Sequence, residues 1–177
     1  ILGEHLQEHA LQLAVVSSGS TGSSLLFNPH ARHGVGTLVN GYFDPGRLVA
    51  FPPEVNTTIL ERFGPAPAKG GPSDPHQAAV DWTEDVLREF VLPELRPDVV
   101  INWLTEPDHM QHAFGAGSPQ SLRMLHNNDR HIGRILDTLQ VLGRNQADVF
   151  HLHGPRQQEQ PGGVLGERPL EQREIEP

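Results

Sequence analysis

Apolar residues recur at helical spacing at the start of the chain, at Leu2, Leu6 and Ala10, and then run together from Leu11 to Ser17. The first spacing predicts the end of an amphipathic helix and the second a short apolar strand. The SSGSTGSS run that closes the strand predicts a Gly/Ser turn, followed by apolar Leu25–Phe27 and by loop chemistry in NPHARHGVG. Within residues 35–51, two short apolar stretches around GYFDPG predict a hairpin or excursion. Pro and Gly crowd the segment from Pro52 to Pro75, notably PAPAKGGPSDP, which predicts a surface connection rather than an interdomain linker.

From His76 to Leu95 the spacing of Ala79, Trp82, Val86, Phe90 and Leu95 predicts one helix, which Pro93 and Pro97 help to end. Asp98 then leads into VVINWL, a nearly continuous apolar run of strand length, as expected for a strand buried on both faces of a parallel sheet. EPDHMQH follows directly, and open α/β sheets bind their ligands beyond the carboxyl ends of strands. A long helix is predicted from about Pro119 to Leu142, with Leu122, Leu125, Ile132, Ile135, Leu136 and Leu139 on its apolar side and Gly143 as its stop. The order helix, strand, loop, helix, strand, site loop, helix predicts one α/β layered domain over residues 1–150, with a mostly parallel sheet flanked by helices. Another strand begins near Asp148–Phe150. The polar tail, residues 151–177, lacks the large apolar side chains needed to offset the entropy of ordering and is expected to be disordered.

Composition narrows the function classes. A chain of 177 residues suits one domain with a real core. The net charge of −9, with acidic residues spread along the chain, gives no electrostatic footprint for nucleic acid or an anionic membrane. A phosphate-ester substrate would need metal ions to offset its charge. With no Cys and eleven His, any metal must be held by imidazole and carboxylate, which suits zinc or another divalent ion. No run of about 20 apolar residues exists, and ILGEHLQEHA has no basic n-region, so it is not read as a signal peptide. The compartment stays open.

Asp108 and His112 stand in the pattern D-x-x-x-H, and a turn between them can bring a carboxylate oxygen and an imidazole nitrogen to one zinc ion. Pro107 fixes its own φ ahead of Asp108, and Gly115 and Gly117 permit a tight turn before the next helix. Glu106 and His109 either orient the ligands or are simply solvated. The same spacing also fits an ordinary turn residue and an exposed imidazole.

INWLTEPDHMQHAFG followed by NNDRHIGRILDTL resembles the segment of type I phosphodiesterases and nucleotide pyrophosphatases that reads E-P-D-x-x-x-H-x-x-G, then D-x-x-I-G-x-L-L-D-x-L. The resemblance is close from about Val99 to Leu142, and residues 1–98 are compatible with the middle of a bacterial member. It implies a partial alkaline-phosphatase-like fold and hydrolysis of phosphodiester or nucleotide pyrophosphate bonds, with two zinc ions in the complete enzyme and Asp108 and His112 as ligands of one. Asp129 matches a family position of expected structural role. The family's earlier metal-binding Asp, its Thr or Ser nucleophile, its later Asp-His-Gly motif and a further His have no counterpart here, so the chain is expected to be an incomplete and poorly active fragment. Ser17, Ser18, Ser20 and Thr21 lack the nucleophile's context and read as a plain turn, leaving the catalytic residues unassigned. His151 and His153 lie near the expected Asp-His-Gly without its carboxylate. One explanation is a reading-frame shift just after Phe150, since a one-base shift of one synonymous encoding of HLHGPRQ gives Thr-Ser-Thr-Asp-His-Gly-Asn; a natural polar tail is the alternative. The same superfamily holds sulfatases and phosphomonoesterases, and a non-catalytic α/β fragment is the competing class.

Overall fold

The computed structural model describes residues 1–41, 49–68 and 76–144. Its centre is β1 (Leu13–Ser17), buried at every position. Successive strand side chains point to opposite faces. Accordingly Leu13 and Val15 join Ala31 and Leu38 in one apolar cluster, while Ala14 and Val16 join Val39, Ala50, Ile59 and Leu87 in a larger one. Cover on both faces is why this strand reads as an unbroken apolar run.

On one side of β1 lies the parallel strand β2 (Thr37–Asn40), to which β3 (Ala50–Phe51) pairs antiparallel; on the other lies the parallel strand β4 (Val99–Trp103). The order β3-β2-β1-β4 makes a mixed, mostly parallel sheet, as the α/β reading expected. Around it stand α1 (Leu2–Glu8), α2 (Thr21–Phe27), α3 (Pro53–Phe63), α4 (Gln77–Val86), α5 (Asp108–Phe114) and α6 (Pro119–Val141). The expected hairpin survives as the β2–β3 pairing, although most of GYFDPG lies outside the described residues. The strand near Asp148–Phe150 and the tail 151–177 lie outside them as well.

Several local readings change. The Gly/Ser run is only briefly a turn: Ser17 closes β1, and Ser20 caps α2 by accepting a hydrogen bond from the Ser23 N–H. In the Pro-rich segment, Pro52 and Pro53 open α3, which buries Val55, Asn56 and Ile59; proline is tolerated at a helix start, where its missing N–H has no partner to lose. The helix from residue 77 changes to π-helical winding over Leu87–Leu95 and runs past Pro93, ending where Arg96 turns left-handed at φ 50°. β4 is half-buried rather than covered on both faces, and among the described residues it pairs on one edge only. α6 buries Ser121, Met124, Asn127 and His131; of the expected apolar stripe, Ile135 and Leu139 pack against the larger core cluster while Leu122, Leu125 and Leu136 are exposed, so the inward face overlaps the stripe only in part.

Candidate metal site at the carboxyl end of β4

Where β4 ends, Thr105 is tied to the end of β1. Its N–H donates to Ser18 Oγ at 3.1 Å and its hydroxyl donates to the Ser18 carbonyl at 3.2 Å. Glu106 comes next with its side chain fully buried. Its carboxylate accepts from the His76 N–H at 3.0 Å and the Met110 N–H at 3.3 Å, while Asn128 donates to its carbonyl from α6. The Met110 N–H is one of the donors that a helix leaves without an internal partner in its first turn. Glu106 therefore fixes where α5 starts, and fully buried Met110 anchors the helix to the core.

The expected site loop is thus helical from Asp108 onward. Asp108 and His112 sit one turn apart on its outer side, with Asp108 Oδ1 and His112 Nε2 separated by 3.5 Å and the side chains 78% and 81% exposed. An acid in the first turn and an imidazole in the last both suit the helix dipole.

His109 points the other way, and its ring stacks on that of His76 at 4.1 Å between centroids with 6° between planes. Together with Glu106 these residues place three ligand-type atoms within 4.8 Å of one another. Imidazole lone pairs lie in the ring planes, so two parallel stacked rings do not aim at a shared point. Glu106 also spends its oxygens on backbone N–H groups and on His109 Nδ1 at 3.3 Å. This group suits a structural role better than an ion unless a ring rotates.

The Ser-rich loop supplies an internal network. Ser24 Oγ donates to Ser17 Oγ at 2.9 Å, the Gly19 N–H donates to Ser17 Oγ at 3.0 Å, and Asn40 Nδ2 donates to the Gly19 carbonyl at 2.8 Å. Ser17, Ser18 and Ser24 are buried, Ser20 is a cap, and Thr21 begins α2.

Sequence reasoning missed two polar groups on α4, partly buried Asp81 and buried Glu84. Asp81 accepts from His131 Nε2 at 2.7 Å and Asn127 Nδ2 at 2.9 Å, both on α6. Partial burial alone would raise the Asp81 pKa, but the His131 and Asn127 hydrogen bonds outweigh it and hold the carboxyl below its usual range. Glu84, one turn on, bonds Asn102 of β4 at 3.0 Å. The available signal was Asn127 and His131 at i, i+4 on one helix, which meet one carboxylate, Asp81, on another.

A family profile described as type I phosphodiesterase / nucleotide pyrophosphatase matches residues 24–150. No curated protein and no solved structure matches the chain. No described helix is long and apolar enough to cross a membrane.

Proposed function

The chain belongs to the type I phosphodiesterase / nucleotide pyrophosphatase family, and from this premise we propose that residues 99–142 form part of the metal centre of a hydrolase acting on phosphodiester or nucleotide pyrophosphate bonds. Asp108 and His112 are the proposed ligands of one ion. The observation that carries this reading is their separation of 3.5 Å at the carboxyl end of a parallel strand. Two ligands of a tetrahedral zinc at about 2.0–2.1 Å stand about 3.3–3.4 Å apart, so the pair accepts an ion with little movement. The donor set, one carboxylate and one imidazole, is also one that zinc takes.

Zinc bound there would supply Lewis acidity toward a phosphoryl oxygen and offset substrate charge on a chain that is itself strongly acidic. The chain's own residues prepare the position. Glu106 sets the first turn of α5, Met110 pins that helix to the core, and Ser18 with Thr105 holds the strand end against β1. A catalytic zinc usually takes three protein ligands and a water, and the described residues bring two to this point. Weak metal binding and little or no turnover by this chain follow.

Titrating zinc calorimetrically into the full chain and its variants tests the assignment. Weak binding that disappears in Asp108→Ala and in His112→Ala but persists in His109→Ala is the expected result. Binding that survives both of the first two variants would end the assignment. Zinc-dependent hydrolysis of a chromogenic phosphodiester at ordinary enzyme rates would contradict the expected low turnover.

A further inference from the structure

Glu84 is 1% exposed, on α4, and its Oε2 accepts from Nδ2 of Asn102, the fourth residue of β4. The remaining atoms of the same two groups, Glu84 Oε1 and Asn102 Oδ1, are both buried and both lack a hydrogen-bond partner among the described residues. Each is an acceptor when the carboxyl is ionised, and a buried unmatched acceptor is costly. Flipping the Asn102 amide does not help, since it exchanges which oxygen is bonded and still leaves two acceptors together. A single proton removes both faults at once.

We infer that Glu84 is protonated in the native protein and donates from Oε1 to Asn102 Oδ1, closing a two-hydrogen-bond ring between α4 and β4 that holds the strand only while the proton is present. No bond beyond the O–H is made or broken, and the proton is exchanged with solvent. The surroundings favour the neutral acid. Burial is the main cause, the Asn102 hydrogen bond opposes it, and Asp85 and Asp81 add repulsion; together they push the Glu84 carboxyl up to about 7. On α6, His131 is bonded to Asp81, and Arg134 and Asp137 line a cleft with Asp85 and Arg88. From the π-helical turn it is Arg88, whose guanidinium goes to Asp85 and Glu89. β1, β2 and β4 contain no ionisable residue.

The consequence reaches the site, because Asn102 lies one residue before Trp103 and six before Asp108. A carboxyl whose pKa is raised on folding stabilises the fold fully below its unfolded value. That contribution is lost as pH rises through its folded value. The window therefore runs from 4.5 to about 7. Deprotonation leaves a buried charge beside Asn102 and loosens β4 against α4, while the pairing of β4 with β1 is not directly affected. This inference stands apart from the zinc assignment: it would hold if Asp108 and His112 bound nothing.

Two measurements on the full chain test it. In carbon-13 NMR of glutamate-labelled protein, one side-chain carboxyl should titrate near 7 and be missing in Glu84→Gln; titration of every glutamate in the ordinary carboxylate range would overturn the inference. In denaturant unfolding at pH 5 and pH 8, the wild-type folding constant should fall relative to that of Glu84→Gln by a factor on the order of a hundred. The Gln side chain reproduces the neutral acid's donor and acceptor, so it keeps the ring at both pH values. Equal pH dependence in the two proteins would overturn the inference, and the NMR result stands by itself if the variant folds poorly.

Discussion

Asp81 shows how one side chain holds two helices. His131, which is 2% exposed, and the buried amide of Asn127 both donate to it from α6. Asp81→Ala should therefore cost about 1–3 kcal/mol, as buried donors lose their acceptor, and chemical denaturation will measure it. Because the Asp81 pKa is lowered on folding, its contribution is present above the unfolded value of 3.8 and is lost as pH falls through the lower, folded value. The opposite sign at Glu84 makes these two carboxylates of α4 respond to pH in opposite directions. The proposed ligands behave differently again. Asp108 and His112 are mostly exposed, so Asp108→Ala or His112→Ala should leave stability within about 0.5 kcal/mol of wild type while removing zinc binding. Unfolding curves compared with zinc calorimetry will separate the two effects.

At the scale of the element, α6 and α4 carry the instructive cases. Met124, at 2% exposure, belongs to the buried side of α6, whereas Leu136, at 47%, does not. Met124→Ala should cost about 2–5 kcal/mol, but Leu136→Gln should change stability by no more than about 0.5 kcal/mol. Equal losses on unfolding would mean that the helix is rotated toward the leucine stripe. The approach of β2 to α4 depends on Gly41. A Cβ there would meet Thr83 Oγ1, itself fully buried, and would lie 3.1 Å from the Ala79 carbonyl. Gly41→Ala should cost about 1–3 kcal/mol by overpacking, read as a lowered thermal midpoint. These contacts explain why α4 has a polar inner face at Thr83 and Glu84: it packs against backbone and against the strand's Asn102, not against side-chain hydrocarbon alone.

For the described fold as a whole, protection of the sheet is asymmetric. β1 has a parallel partner on each edge, while β4 is paired with β1 alone among the described residues. Native-state hydrogen exchange should find β1 amides protected throughout, with β4 amides alternating between protected and fast. Uniform protection along β4 would show that its outer edge is covered. Trp103, at the end of β4, is 43% exposed. Ser18, Thr105 and Glu106 nevertheless hold the strand end in place from within.

The sequence by itself determined the apolar strands at 13–17 and 99–103, the long helix after the E-P-D motif, the α/β layering and the family, because periodicity and a specific motif are local properties of the chain. It also singled out Asp108 and His112, though as parts of a loop rather than one turn apart on α5. Only the tertiary structure decided which face of α6 turns inward, that β4 is half-buried, and that the Pro-rich stretch contains α3. Those outcomes depend on what lies across the contact. Asp81 draws His131 and Asn127 inward against the leucines' hydrophobicity, and Glu84 finds an amide from a strand 18 residues away. No periodicity encodes such partners, since each is a polar residue whose burial becomes favourable only once the other is in place.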